Sequence, residues 1–132
     1  MKIRKKVSFD FDGTLDNKHV QEYAKELIKQ NIEVHIVTSR YEDITNYEFK
    51  VPINSQQHAD LYLIADKLNI PNSNIHFTNM SDKYLFFIKN EDFLFHLDDD
   101  YIESKLINQN TNVKAVSFIH SNWKKECNNK IK

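Results

Sequence analysis

The stretch Ser8–Asp16 reads SFDFDGTLD. It puts two aspartates, Asp10 and Asp12, two residues apart at the end of an apolar run. It also holds the single glycine of the 132-residue chain, Gly13. If the extended backbone continues past Asp10, the two carboxylates share a face. Gly13 then allows a sharp turn or a close approach of the backbone to a ligand, and Thr14 adds a hydroxyl. Two carboxylates this close raise each other's pKa unless a cation sits between them, which is the mark of metal and acid–base sites. The competing reading is a solvated Asp-Gly turn after a strand.

Working outward, Lys6–Asp10 reads as a short buried strand. His19–Gln30 follows as a helix, with Val20, Tyr23, Ala24, Leu27 and Ile28 at helical spacing. Asp16 or Asn17 can cap its start, and Asn31 can end it. Glu33–Val37 is a second strand that runs out into Thr38, Ser39 and Arg40. Tyr41–Gln56 has no clear period and reads as an irregular excursion. Gln57–Asn69 is a helix with Leu61, Ile64, Ala65 and Leu68 on one face, and Pro71 lies just past its end. Ile75–Thr78 is a third strand, and Ser81 a plausible N-cap for a helix over Asp82–Lys89. Phe93–Leu97 is a fourth strand, ending in Asp98, Asp99 and Asp100. Tyr101–Asn108 is a helix and Val113–Ile119 a fifth strand. With one Gly and two Pro in the chain, Asn takes over as the turn residue.

Alternating strands and helices predict an α/β fold, a Rossmann-like three-layer sandwich around a five-stranded parallel sheet, with no substantial cap domain. Residues 1–120 form the expected core and 121–132, SNWKKECNNKIK from Ser121, a basic tail. In such sheets ligands bind at the carboxyl ends of the strands, where the strand order reverses. Asp10, Thr38 and Asp98 should therefore share one edge.

Composition bounds the rest. The chain is 40% hydrophobic and carries a net charge of -1, so it is one ordinary globular domain rather than a polyelectrolyte. A single cysteine, Cys127, excludes an internal disulfide and fits a reducing compartment. No apolar run approaches the roughly 20 residues of a membrane span. The amino terminus is basic without a long apolar run after it, so a secretory leader is not expected. A cytoplasmic location with no membrane partner is the expectation.

Several side chains invite chemistry. Three consecutive acids after FLFHL repel one another unless a cation is present, and an oxygen-rich cluster suits Mg²⁺. Asp100 itself reads better as a helix cap. Lys83 lies at a helix start, where the dipole disfavours a cation unless an anion binds nearby; otherwise it is a solvated lysine. Thr38 could donate to a phosphate or simply end a strand. Arg40 could clamp a phosphate through two hydrogen bonds or be a surface charge. The six histidines show no ligand spacing, and His96 reads as a packed strand residue.

Together these motifs resemble the haloacid dehalogenase-like superfamily, mostly phosphatases. FDFDGT is similar to the first motif of that family, VHIVTSR to its second, Lys83 in MSDKYLFF to its third and FLFHLDDD to its fourth. The resemblance implies Asp10 as a nucleophile that forms an aspartyl-phosphate, and Asp12 as the acid and base. It implies Thr38, Ser39, Arg40 and Lys83 as phosphate ligands. Mg²⁺ would be held by Asp10, Asp98, Asp99 and the Asp12 carbonyl. The second aspartate of DxDGT argues for phosphate ester hydrolysis over carbon–halogen chemistry. The short link between Asp16 and the first helix leaves no room for a cap there, a minimal form similar to polynucleotide kinase 3′-phosphatase domains and small deoxynucleotidases. The implied substrate is a small-molecule phosphate ester, a nucleotide or a nucleic-acid end, and the lysines of the tail could meet a polyanion. The alternative is a weak or inactive phosphate- or partner-binding module on the same fold. A receiver-type switch fits less well, because here the DxDGT comes first and the acid pair last.

Overall fold

A computed structural model describes residues 4–42 and 58–132. Most of the excursion read over Tyr41–Gln56 therefore lies outside the described residues, and with it the question of whether it closes over the site.

Five strands form the sheet: β1 (Lys6–Phe9), β2 (Glu33–Thr38), β3 (Ile75–Phe77), β4 (Phe93–Asp98) and β5 (Lys114–Ser117). They run parallel in the order β3-β2-β1-β4-β5. β1 pairs Phe9 with Ile36 of β2 on one side and with Leu97 of β4 on the other. The chain winds outward from β1 in one direction through β2 and β3, then returns to β1's other side for β4 and β5. The reversal of strand order thus falls between β1 and β4.

Among the described residues five α-helices cover the sheet: α1 (Lys18–Lys29), α2 (Ala59–Lys67), α3 (Lys83–Ile88), α4 (Tyr101–Asn110) and α5 (Trp123–Ile131). The right-handed crossovers that parallel strands require put α1 and α2 on one face and α3 and α4 on the other. Side-chain packing agrees. Tyr23, Ala24, Leu27, Leu61, Ala65 and Cys127 share a core with Val7, Phe9, Ile36 and Leu97. Phe87 and Ile107 pack with Val37, Phe93 and Val113 on the opposite face. The predicted parallel three-layer α/β fold is what the chain adopts.

Local signals place the ends of the elements. Asn17 Oδ1 accepts from the His19 N–H at the start of α1. Asn31 and Asn69 take up φ values of 64° and 62° where α1 and α2 stop, so Asn does what Gly usually does. Asp100 Oδ1 accepts from the N–H groups of Ile102 and Glu103 and caps α4. Ser81 is not the cap of α3; Asp82 precedes its first residue, without a side-chain cap bond.

The carboxy-terminal stretch departs from its reading as a basic tail. It is α5, and it lies against the sheet with Cys127 fully buried. Trp123 meets Tyr23 edge-on at 5.4 Å. The lysines are used on this face or beyond it. Lys124 lies 3.4 Å from Glu26 and over the Tyr23 ring. The far end of α5 reaches the start of β1, where Lys5 Nζ donates to the Ile131 carbonyl at 2.9 Å. α5 therefore runs back toward the edge opposite the carboxyl ends of the strands, which takes Lys130 and Lys132 away from Asp10 and removes the polyanion contact expected of them.

One polar feature of the sheet concerns stability. His35 on β2 and His76 on β3 stack at 5.1 Å and share an Nδ1–Nε2 hydrogen bond of 2.9 Å. Burial lowers His35, against the pull of Glu33, and lowers His76 to about 4, with the neighbouring His35 adding to the effect. Both rings bind protons more readily in the unfolded chain, where histidine titrates near 6.5. Their contribution to stability is therefore complete above about pH 6.5 and is lost as pH falls through the folded values. Thermal midpoints measured from pH 7.5 to 4 should fall on the acid side, and His76→Gln should flatten that slope.

Candidate active site

The site grows from the end of β1. After Phe9 the chain leaves the sheet at Asp10, whose N–H still donates to the Leu97 carbonyl of β4 at 2.8 Å. It then loops through Phe11–Leu15, closed by the Leu15 N–H on the Asp10 carbonyl at 3.0 Å. Gly13 sits at φ 82°, the left-handed region that residues with a Cβ adopt at a cost. A second reason excludes a side chain there. A Cβ on Gly13 would lie 2.8 Å from Asp99 Cγ and run into its carboxylate. The lone glycine thus lets the β1 loop and the β4 end approach each other. Gly13→Ala is expected to cut activity by about a hundredfold, the scale for displacing a reacting group by an ångström. Its thermal midpoint, measured alongside kcat, should drop by only a few degrees.

Lys83 is the centre of the buried charge. It opens α3, and its Nζ lies 2.7 Å from Asp10 Oδ1 and 2.7 Å from Asp98 Oδ2. All three side chains are almost wholly buried. The Lys83 N–H donates to Glu103 Oε2 of α4 at 3.1 Å, which fixes the helix start against its neighbour. Around this trio every remaining oxygen has a partner. Asp10 Oδ2 accepts from Thr14 Oγ1 at 3.2 Å. Asp98 Oδ1 accepts from the Asp100 N–H at 2.9 Å, and Asp98 Oδ2 also meets His96 Nε2 at 2.8 Å. His96 in turn reaches Ser8 Oγ at 2.8 Å.

The electrostatics follow from burial and pairing. Burial pushes the Asp10 carboxyl up to about 8; Lys83 works against that rise and Asp98 adds to it. Burial alone would also raise Asp98, but His96 and Lys83 outweigh it and hold the group well below the usual carboxylate range. Burial would lower Lys83, yet Asp10 and Asp98 keep it above its ordinary value. His96, enclosed on all sides, is lowered by burial.

Asp99 stands at the open side. An oxygen from each of Asp10, Asp98 and Asp99 lies within 4.8 Å of the others. With all three ionised, Lys83 leaves two negative charges over, the complement of a divalent cation. Hard oxygen donors at this spacing fit Mg²⁺.

These groups line a cavity of about 500 Å³ to which Asp10, Asp12, Ser39, Lys83, Asp98 and Asp99 all contribute. Six of the eight candidates from the sequence thus meet in one place. The other two sit differently. Thr38 is fully buried at the end of β2, and its Oγ1 accepts from the Arg40 N–H at 3.2 Å. Arg40 turns to two carboxylates. It donates to both oxygens of Asp12, at 2.9 and 2.7 Å, and to both oxygens of Asp60, at 2.9 and 2.8 Å. Its guanidinium also lies over the Phe11 ring at 5.0 Å. The Asp60 bonds, then those of Asp12, hold Arg40 above its ordinary range, and Arg40 in turn holds Asp60 down to about 2.

Asp60 and Glu103 are supporting residues that the sequence reading passed over; Thr14 was named there for its hydroxyl, and His96 is the packed strand residue it was read as, although its bond to Asp98 was not foreseen. His96 had a signal: it lies two residues before Asp98 on the same strand and so shares its face. Asp60 had none, since it meets Arg40 only through the packing of α2.

The fold and site together define a parallel α/β protein with a buried Asp–Lys–Asp cluster at its switch point, opening into an acidic cavity. No family model and no curated protein matches the chain. Among solved structures it is similar to one described as a "putative 3-deoxy-D-manno-octulosonate 8-phosphate phosphatase" from Vibrio cholerae. The identity is 17% over 97% of this chain and 83% of that one, with a TM-score of 0.49. Among the described residues no helix is long and apolar enough to cross a membrane.

Proposed function

We propose that the chain is a Mg²⁺-dependent phosphomonoester hydrolase that works through an aspartyl-phosphate, as the motif resemblance implies. The observation that carries the reading is the Lys83 ammonium, held 2.7 Å from both Asp10 and Asp98 at the reversal of strand order. A structural ion pair needs one carboxylate. Two buried carboxylates around one lysine, with a third at the open side, leave a site short of positive charge and open to a cavity.

Asp10, Asp98, Asp99 and the Asp12 carbonyl would hold Mg²⁺, which when bound neutralises the phosphate charge that would otherwise repel an attacking carboxylate. Asp10 attacks phosphorus, the bond to the ester oxygen breaks, and Asp12 delivers a proton to that oxygen. A water then attacks the acyl phosphate and gives its proton to Asp12, and inorganic phosphate leaves. Lys83 and Ser39 steady the phosphoryl oxygens, and Thr38 fixes the Arg40 backbone behind them. Arg40 occupies both oxygens of Asp12, so Asp12 must release at least one of these bonds before it can protonate a leaving group. Asp60 keeps Arg40 in place and neutralised while that happens.

α1 begins at Lys18, two residues after Asp16, so nothing between them caps the site. A site left uncovered by this link suits a small phosphate ester, a nucleotide or a nucleic-acid end. The test is turnover of an aryl phosphate by the chain with Mg²⁺. Rates should fall to background with EDTA and return on adding Mg²⁺. Turnover that survives chelation would rule out the metal-dependent mechanism.

A further inference from the structure

We infer that the substrate is a monophosphate whose organic part carries an apolar face and no second anionic group. The inference rests on the phosphate-handling reading of this cavity and narrows it. Two features of the wall, independent of each other, point the same way.

The first is charge. Beyond Asp10, Asp98 and Asp99, the wall carries Asp12, Asp82, Asp100 and Glu103, against Lys83 as its cation. Arg40 shares its one positive charge between Asp12 and Asp60, and a divalent ion at the centre still leaves the wall negative. The transferred phosphoryl is compensated by Lys83 and the metal. Among the described residues, a second phosphate further along the substrate would face Asp82, Asp100 and Glu103 with no cation beside them, and like charges close together repel strongly in a half-enclosed site. Lys124 is taken up by Glu26 and the Tyr23 ring, and the far end of α5 lies at Lys5, toward the opposite edge. A nucleic-acid end, which brings several phosphates, is therefore disfavoured.

The second is an apolar pair in an otherwise polar wall. Met80 is 63% exposed and Ile102 66% exposed, and both line the cavity. Met80 is held there against its preference. It adopts φ 62°, directly after Asn79 at φ 55°, a conformation costly for a residue with a long side chain. Hydrogen bonds pin the turn: the Met80 N–H donates to the Ser39 carbonyl at 2.7 Å and the Asn79 N–H to the Arg40 carbonyl at 3.2 Å. Ile102 is fixed from the other side by the Asp100 cap of α4. Exposed apolar side chains carried on a pinned backbone beside a phosphate site offer contact to a ring or an alkyl chain, not to a polyhydroxylated sugar.

Titration of the full Mg²⁺-loaded chain with three non-hydrolysable phosphonates tests this: methylphosphonate, benzylphosphonate, and benzylphosphonate bearing a second phosphonate on the ring. Benzylphosphonate should bind about tenfold more tightly than methylphosphonate. The second phosphonate should cancel that gain at low salt, and less so as salt rises. The double variant Met80→Ser, Ile102→Ser should lose the benzyl gain and keep methylphosphonate binding. Equal affinity for the three ligands, tightest binding of the doubly charged one, or no binding of any would overturn the inference. A chain that ranks the ligands as expected but turns over no phosphate ester removes the hydrolase reading and leaves this one standing.

Discussion

Asp10→Asn is expected to reduce turnover of an aryl phosphate by about four orders of magnitude or more, the scale for removing a nucleophile. The change is close to isosteric: the amide oxygen can still accept from Lys83 Nζ while the NH2 group faces Thr14 Oγ1. The folded state should therefore survive, and the thermal midpoint should move little compared with the loss of rate. Asparagine differs in the two respects that matter: it has no carboxylate to form an acyl phosphate, and it weakens the three-oxygen cluster. Single-turnover experiments with radiolabelled substrate separate these. The parent chain should accumulate acid-stable label on protein, and Asp10→Asn none at any Mg²⁺ concentration. Turnover retained within tenfold of the parent would remove the covalent mechanism.

Lys83→Met is expected to lower activity and stability together, and the stability loss should be the larger of any single change in the site. The substitution keeps an unbranched side chain, one atom shorter, but removes the charge, leaving Asp10 and Asp98 facing each other out of water. Removing one partner of a buried ion pair costs about 3–5 kcal/mol, much of it the penalty on the charge left behind. Here two carboxylates are orphaned. If Mg²⁺ takes up the leftover charge, it should restore part of the stability of Lys83→Met and raise the parent's midpoint less. Denaturant titrations with Mg²⁺ and with EDTA give both numbers. A Lys83→Met chain as stable as the parent in EDTA would mean that the ammonium does not hold the cluster together.

Much of the fold was legible because β1, β2 and β4 are apolar runs that end abruptly in polar residues. Asp10, Thr38 and Asp98 mark those ends without ambiguity. The rule that ligands gather at the carboxyl ends then put distant residues in one place, and Asp10, Lys83 and Asp98 meet within hydrogen-bonding distance. α5 was missed for an instructive reason. Its lysines and asparagines dominate the composition, yet Trp123, Cys127 and Ile131 recur every four residues, a stripe that a helical reading of SNWKKECNNKIK would have found. The cavity was legible in its acids and not in its specificity. That Arg40 would turn to Asp12 and Asp60 depends on how α2 packs, and the exposure of Met80 on a turn that Asn79 opens. Neither has a local signature, because each is decided by tertiary contacts between elements far apart in the chain.

The pairing of β1 with β4 also bears on how the molecule comes to exist. Ser8 and His96, bonded across that seam, are 88 residues apart in sequence. The two strands that carry Asp10 and Asp98 are joined only by closing that long loop, a step that is entropically expensive and comes before its contacts are rewarded. The βαβ unit β1–α1–β2 can form from local contacts alone, but it holds Asp10 without its lysine or its second carboxylate. The Asp10–Lys83–Asp98 cluster is thus complete only once this long-range seam has closed.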